Sequence, residues 1–298
     1  MRGRPWFLSR YRALGATLSG RERAPQAIRV NPLRAEAGEV LEALRGEGVE
    51  LEPVPYLDHG FWVRSTPFSL GASIEYLLGM FSLQEAASQL PVQVLRPGPD
   101  DRLLDMACAP GGKTTQAAAY MENKGVIVGL DRDRRRLYAA ENHLERCGVV
   151  NAALHHVDAL DLPPEPVFTK VLLDAPCSGN YAADPWWFRK RSMADVEANA
   201  ELQKRLIEKA YQVLEPGGVL VYSTCSLEPE EDEAVVSWLL ERHPGAETVE
   251  VEAPGSPGLS QPLEMELDER VRRCRRIWPG LHGTQGFFIA KVVKHEAS

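Results

Sequence analysis

From Arg102 to Tyr222 the chain alternates short apolar runs with amphipathic stretches, and this alternation limits its fold more than any other feature. Leu103-Leu104-Asp105, Val126 to Leu130, Ala153 to Val157, Val171 to Leu173 and Val219 to Tyr222 have the length and apolar content of buried strands. Between them, Lys113 to Met121, Arg134 to Cys147 and Ala194 to Leu214 read as helices, the last two stopped by Gly148 and by Pro216-Gly217-Gly218. Repeated strand–helix units predict an α/β fold with a mainly parallel, doubly wound sheet, and such sheets bind ligands at the carboxyl ends of their strands. Asp105, Asp131, Asp158 and Asp174 each follow one of the apolar runs. One aspartate in that place is usually a helix cap. Four of them, with a glycine turn among them, point to a ligand-binding edge.

The turn is Asp105-Met-Ala-Cys-Ala-Pro-Gly-Gly-Lys-Thr-Thr115. Its small residues let backbone approach a ligand beside a helix N-terminus, and three nucleotide-type readings compete for it. Gly112-Lys113-Thr114 fits the end of a Walker A loop, but Ala107 stands where that loop needs its first glycine. The Gly-x-Gly-x-x-Gly dinucleotide pattern is absent. S-adenosylmethionine, which carries no phosphate, is the best match: Asp131 is placed to accept from ribose hydroxyls and Asp158 to meet an adenine amino group.

The remaining chemistry sits in Asp174-Ala-Pro-Cys-Ser-Gly179 and Ser223-Thr-Cys-Ser226, each a cysteine just past a strand-like run. A free cysteine is often only a small core residue. Two of them at strand ends, one behind a carboxylate, suggest covalent chemistry.

Residues 1–95 form a separate, less regular α+β unit, joined to the rest by Leu95-Arg-Pro-Gly-Pro-Asp-Asp; residues 96–298 form the second domain. Pro229 opens a helix to about Glu241, and Glu230, Glu231, Asp232 and Glu233 read as dipole-favoured residues of its first turn. Residues 244–268 look irregular, and Gln285 to Val293 is a final strand.

Composition narrows the class. No apolar run reaches the ~20 residues of a membrane span, and the start of the chain lacks a secretory apolar core. Five cysteines without short-spaced pairs argue for free thiols and a cytoplasmic setting, and seven histidines complete no zinc set. The net charge of −8 is uneven: residues 1–36 hold eight arginines and two glutamates, a local +6, which leaves −14 for the remainder. With Arg189-Lys190-Arg191 and the arginines of 270–276, this start offers three basic patches for a polyanion. Trp186, Trp187 and Phe188 beside the second patch either stack on bases or pack in the core.

Taken together, these residues resemble the Sun/Nop-type RNA cytosine-C5 methyltransferases. The resemblance rests on Ala107 to Thr114, Asp174 to Gly179, Ser223 to Ser226 with the acids after it, and Gly283-Thr-Gln-Gly-Phe-Phe-Ile-Ala290; the region from Ile28 to Glu85 resembles the family's N-terminal RNA-binding subdomain. It implies a Rossmann-like class I methyltransferase domain holding S-adenosylmethionine through Cys108, Ala109, Pro110, Gly111, Gly112, Lys113, Thr114, Asp131, Arg136, Asp158 and Asp174. The family's loop often reads Cys-Ala-Ala-Pro, whereas this chain has Ala107-Cys108-Ala109-Pro110, which makes Cys108 structural. By the same resemblance Cys225 is the nucleophile on carbon 6 of cytosine and Cys177 assists product release. Asp174 bonds the pyrimidine at N3 and the amino group, and Lys113 lowers a thiol pKa or moves a proton. The implied partner is single-stranded or looped RNA, transfer RNA ahead of ribosomal RNA, with the protein monomeric by default. A P-loop hydrolase and a non-catalytic RNA-binding scaffold are the rival expectations.

Overall fold

The computed structural model describes residues 3–296. Helix α1 (Arg4–Ala13) is followed by strand β1 (Ala27–Val30), helix α2 (Ala37–Gly46), strands β2 (Glu50–Pro53) and β3 (Gly60–Ser65), helix α3 (Ile74–Leu77), strand β4 (Phe81–Leu83) and helix α4 (Ala86–Leu95). The alternation then begins: β5 (Arg102–Asp105), α5 (Gly112–Tyr120), β6 (Val126–Asp131), α6 (Arg134–Cys147), β7 (Ala152–His156) and β8 (Phe168–Asp174). After it come α7 (Trp187–Lys190), α8 (Met193–Val213), β9 (Leu214–Thr224), α9 (Glu233–Arg242), β10 (Ala246–Val249), β11 (Ser256–Pro257), β12 (Arg275–Ile277) and β13 (Phe287–Lys294). The local chemistry explains the boundaries. The Asp133 carboxylate accepts from the amides of Arg135 and Arg136 to start α6, and Gly148 at φ 74° ends it.

The chain divides into two compact units. The first comprises Pro25–Asp161 with Phe168–Leu172. It holds an antiparallel sheet in the order β2-β3-β1-β4 and a parallel array in which β5 lies between β6 and the first residues of β8, with β7 outside β6. Asp105 stands opposite Gly129 and Leu172, and Asp131 opposite His156, so Asp105, Asp131 and Asp158 all follow from the carboxyl ends of neighbouring parallel strands. Ile28, Val30, Val40, Leu44, Leu70 and Phe81 make the core under the antiparallel sheet.

The second unit takes the described chain up to Ala24, Leu162–Val167 and everything from Leu173 onward. Here the sheet is antiparallel: β13 pairs with β9, β12 and β10, and β11 with β12. The α/β class matches the sequence reading, while the sheet is mixed, parallel in one unit and antiparallel in the other. Helix α1 was not anticipated, because its arginines read as a basic arm. Phe7 and Tyr11, one turn apart, are fully buried with Tyr181, Trp187, Leu227 and Trp278 in one aromatic cluster. Among the described residues no helix is long and apolar enough to cross a membrane.

Behind α1, Glu22 fastens its own turn. Its carboxylate accepts from the amides of Ser19, Gly20 and Arg21 and from the hydroxyl of Tyr181. Burial alone would raise its pKa, but these donors outweigh burial and bring it from 4.5 down to about 2. The contribution of Glu22 is therefore complete above pH 4.5 and is lost as pH falls through about 2. Glu22→Gln should flatten that part of the acid-unfolding curve, followed by circular dichroism. Phe7→Ala should lower the unfolding free energy by about 3–5 kcal/mol in denaturant titration, since it empties the centre of the aromatic cluster.

Candidate active site

The glycine turn leaves β5 at Asp105, whose buried carboxylate is spent on the turn itself: Oδ2 accepts from Thr114 Oγ1 at 2.8 Å and Oδ1 from the Ala107 amide at 3.4 Å. The Cys108 amide donates to Leu130 O at 2.9 Å, and a Cβ at Gly129 would lie 3.1 Å from that of Cys108. Cys108 therefore fills the contact between turn and strand. Burial, followed by the nearby Asp105 and Asp131, pushes its thiol up. Gly111 has φ 96°, and a Cβ there would meet Leu144 at 3.1 Å and Ala140 at 3.3 Å, so glycine is required on both counts. Lys113 lies half-buried in the first turn of α5.

Helix α6 grips the turn from outside, at carbonyls flanking the cis Ala109–Pro110 bond. Arg136 Nη2 donates to Ala109 O at 2.6 Å, and His143 Nδ1 lies 3.1 Å from Pro110 O. A carbonyl can only accept, so Nδ1 carries the hydrogen and Ser82 donates to Nε2 at 3.0 Å. Burial, opposed by the Pro110 contact, lowers the His143 pKa to about 4, in keeping with this neutral form. Neither His143 nor Ser82 was legible as a site residue, because the contact joins positions far apart in sequence.

Asp131 is 5% exposed. Its Oδ1 accepts from the Asp133 amide at 2.8 Å, whereas Oδ2 is buried with no hydrogen-bond partner, Arg136 Nη1 standing 3.5 Å away. A carboxylate oxygen held in that state fits a ligand hydroxyl, and a ribose diol is such a donor. Asp158 is half-buried and accepts from the Leu160 amide at 3.0 Å, which gives it a turn-capping task as well.

In the other unit, Asp174 closes β8 and accepts from Ser223 Oγ at 2.8 Å, while the Ala175 amide donates to Ser223 O at 2.8 Å. These bonds set the two cysteine motifs side by side. The sulfurs of Cys177 and Cys225 are 3.1 Å apart, both half-buried and both free thiols. The hydrogen bond to Cys225 most of all, then burial, the Cys225 charge and the Glu231 carboxylate, hold the Cys177 thiol well above the usual cysteine range. Asn180 Nδ2 donates to Cys225 O at 2.8 Å and to Gly286 O at 3.1 Å, tying the loop beyond Cys177 to the backbone of Cys225.

The acids after Cys225 are not the dipole-favoured first turn that their positions suggested. Helix α9 begins only at Glu233, its N-cap side chain makes no capping bond, and Glu228, Glu231, Asp232 and Glu233 are all fully buried. Glu228 meets Arg10 Nε at 2.7 Å and the Tyr11 hydroxyl at 2.8 Å. Glu231 Oε2 accepts from the Ser178 amide and from Gln203 Nε2, each at 2.9 Å, and Oε1 from Ser226 Oγ at 3.1 Å. Asp232 accepts from Thr224 Oγ1 at 2.6 Å, and Arg276 bridges Asp232, Glu233 and Leu227 O. Arg10, Asn180, Gln203, Glu231 and Arg276 thus belong to the site and were missed. The available signal was four acids in a row beside the second cysteine, more than one helix end can use.

The same pairings correct the basic patches. Arg276 is buried, and Arg270, Arg273 and Arg275 pair with Asp268, Glu247 and Glu250, so of this run only Arg272 is left exposed without a carboxylate. At the start of the chain Arg2 lies outside the described residues, Arg10 is ion-paired, and Arg29 is buried against Thr115. Arg12, Arg21, Arg23 and Arg34 remain exposed, as do Arg189 and Lys190. Trp187 is core and Phe188 packs on it, whereas Trp186 is 55% exposed with the Arg189 guanidinium 5.0 Å from its ring.

A family described as 16S rRNA methyltransferase RsmB/F matches residues 92–293, and the N-terminal domain of 16S rRNA methyltransferase RsmF matches residues 6–86. The chain is 37% identical over 282 residues to ribosomal RNA small subunit methyltransferase F of Serratia proteamaculans, covering 91% of itself and 57% of that protein. It therefore spans little more than half the length of that relative. It is 41% identical over 273 residues to tRNA (cytosine(49)-C(5))-methyltransferase of Pyrococcus abyssi, covering 90% of itself and 88% of that protein. Among solved structures, a methyltransferase homolog protein from Pyrococcus horikoshii superposes with a TM-score of 0.83 at 40% identity, covering 95% of this chain and 88% of that one. NSun6 from Pyrococcus horikoshii with SFG superposes at 0.82 and 28% identity, covering 93% of each. The matches extend through both cysteine motifs and the glycine turn, and they settle the family: the chain belongs to the RsmB/F family of methyltransferases, the Sun/Nop type that its motifs resemble.

Proposed function

We propose that this protein methylates carbon 5 of a cytosine in RNA through a cysteine adduct, with S-adenosylmethionine as methyl donor. The observation that carries the reading is the pair of free thiols 3.1 Å apart beside Asp174. A scaffold has no use for two apposed sulfurs held by that many buried bonds. The kinship to enzymes named as cytosine-C5 and ribosomal RNA methyltransferases supports the reaction type.

Carbon 5 of cytosine is a weak nucleophile, and a thiolate bonded to carbon 6 makes it enamine-like. We assign Cys225 as that thiolate. Cys177, kept protonated by its surroundings, is the hydrogen-bond partner of the Cys225 sulfur. The sulfur–carbon bond forms on addition and makes carbon 5 able to take the donor's methyl. After that transfer the bond from carbon 5 to hydrogen would break, its proton passing to a base or to water, and the electron pair would expel the Cys225 thiolate. Cys177 assists by placing its S–H against the departing sulfur. Asp174, oriented by Ser223, is assigned to the N3 and amino edge of the base, and Lys113 to proton management near the turn.

The donor group would be held by the turn from Cys108 to Thr114, Arg136, Asp131, Asp158 and Asp174, and when bound it supplies an electrophilic methyl on a sulfonium. The fit rests on Asp131, whose buried Oδ2 has no hydrogen-bond partner and can take a hydroxyl. Residues 1–95 are proposed as the RNA-binding subdomain and 96–298 as the methyltransferase domain, a division that agrees with family matches ending at 86 and resuming at 92. Of the two RNA classes named among the relatives we infer transfer RNA, on 41% identity to the relative named for it against 37% to the ribosomal one.

The assignment of the thiols is tested by two variants on cellular RNA. Cys225→Ala should abolish methylation read by bisulfite sequencing, and Cys177→Ala should accumulate a protein–RNA adduct on denaturing gels; the reverse pattern overturns the roles. Asp131→Ala should weaken binding of a donor analogue by about 10- to 100-fold in calorimetry, the loss of one or two hydrogen bonds to a charged acceptor, with the protein still folded.

A further inference from the structure

The four buried acids after Cys225 differ in what they hold. Glu228 faces α1 and Asp232 and Glu233 face Arg276, but Glu231 alone is bonded to both cysteine loops. Its Oε2 accepts the amide of Ser178, the residue after Cys177, and its Oε1 accepts the hydroxyl of Ser226, the residue after Cys225. Gln203 from α8 braces the arrangement, donating to Glu231 Oε2 and to Pro176 O, at 2.9 and 2.8 Å. The hydroxyls of Ser178 and Ser226 stand 3.3 Å apart, and Ser226 Oγ also accepts the Glu228 amide at 3.1 Å. One carboxylate is therefore the shared anchor of two loops whose preceding residues are the two thiols.

We propose that Glu231 is a positioning residue for the thiol pair: it sets the spacing of Cys177 from Cys225, and so decides whether the adduct is released. The proposal rests on the reading of Cys225 as nucleophile and Cys177 as release partner. The geometry gives the reason. Ser178 and Ser226 are each one residue from a sulfur, so a shift of either loop moves the sulfur contact directly. At 3.1 Å the two sulfurs are in direct contact, and their hydrogen bond depends on direction as well as distance. Glu231 also supports the release role electrostatically. Its charge is one of the influences that keep the proton on Cys177. Burial, although opposed by the bonds from Ser178, Gln203 and Ser226, raises the pKa of Glu231 itself, so the charge is held at a cost.

Two readouts test this apart from general stability. The first is covalent capture. With an unmethylated RNA substrate and the methyl donor, Glu231→Ala should accumulate the denaturant-resistant protein–RNA adduct although Cys177 is intact. Its turnover should fall about tenfold or more while KM for RNA changes little. Glu231→Gln keeps the shape and an acceptor for Ser178, so it should recover much of the release. The second needs no activity: mild oxidation by a diamide-type reagent should close the Cys177–Cys225 disulfide fast in the parent and in Glu231→Gln and at least several-fold more slowly in Glu231→Ala, followed by loss of the two thiols in mass spectrometry. Should Glu231→Ala not fold, Glu231→Asp, whose shorter side chain cannot reach both Ser178 and Ser226, carries both measurements. Wild-type oxidation rate and wild-type release in folded Glu231→Ala or Glu231→Asp, with only the melting temperature lowered, would reduce Glu231 to a structural residue and overturn the proposal. Cys177→Ala and Cys225→Ala run alongside: if the first traps no adduct and the second still methylates, the thiol reading fails, whatever Glu231 does.

Discussion

The thiol site depends on charge kept out of water. Four carboxylates after Cys225 are buried, and each is matched from a different part of the chain: Arg10 and Tyr11 from α1, Ser178 and Gln203 from the loop and helix after β8, Thr224 from β9, Arg276 from β12. Buried ions of this kind add little net stability over an apolar core of equal volume, and removal of one partner costs several kcal/mol because its mate is left stranded. What they provide is direction. An apolar contact between the two cysteine loops would tolerate sliding, whereas hydrogen bonds to a single carboxylate do not.

The glycine turn and the thiol pair are built by different means. The glycine turn in the first unit is shaped by backbone: a glycine at positive φ, carbonyls held by Arg136 and His143, and a buried aspartate consumed within the turn. The thiol site in the second unit is shaped by side chains. Backbone bonds are set by local sequence, so the first kind of site is visible in a short motif, while the second is spread over the chain.

That difference explains what was legible. The strand–helix alternation, helix α6 with its Gly148 stop, the glycine turn and the two cysteines all follow from residues close in sequence, and the motifs carried the family. Asp131 was placed correctly at a strand end, although its unpartnered oxygen is visible only in three dimensions. The acidic run misled because a helix-end dipole is the commonest reason for clustered acids, and the arginines that pair with Glu233 and Glu228 lie 43 and 218 residues away. The arginines of 270–276 misled in the mirror-image way: apart from Asp268, the acids that neutralise them, Glu247, Glu250 and Glu233, lie 25 or more residues away. Trp187 and Phe188 were undecided between stacking and packing, since composition cannot tell a core aromatic from an exposed one.

The pairing of Arg10 with Glu228 joins residues 218 positions apart. Contacts of such sequence separation form late, because the loop between them must first be closed. During synthesis, α1 leaves the ribosome early and then waits with its aromatic face uncovered, while Pro25–Asp161 already has most of the chain of its own unit. Only after the segment around Glu228, and then Arg276, has been made can α1 dock and the thiol pair be locked. A nascent chain therefore completes the glycine turn well before the segment that pins the two cysteine loops has been made.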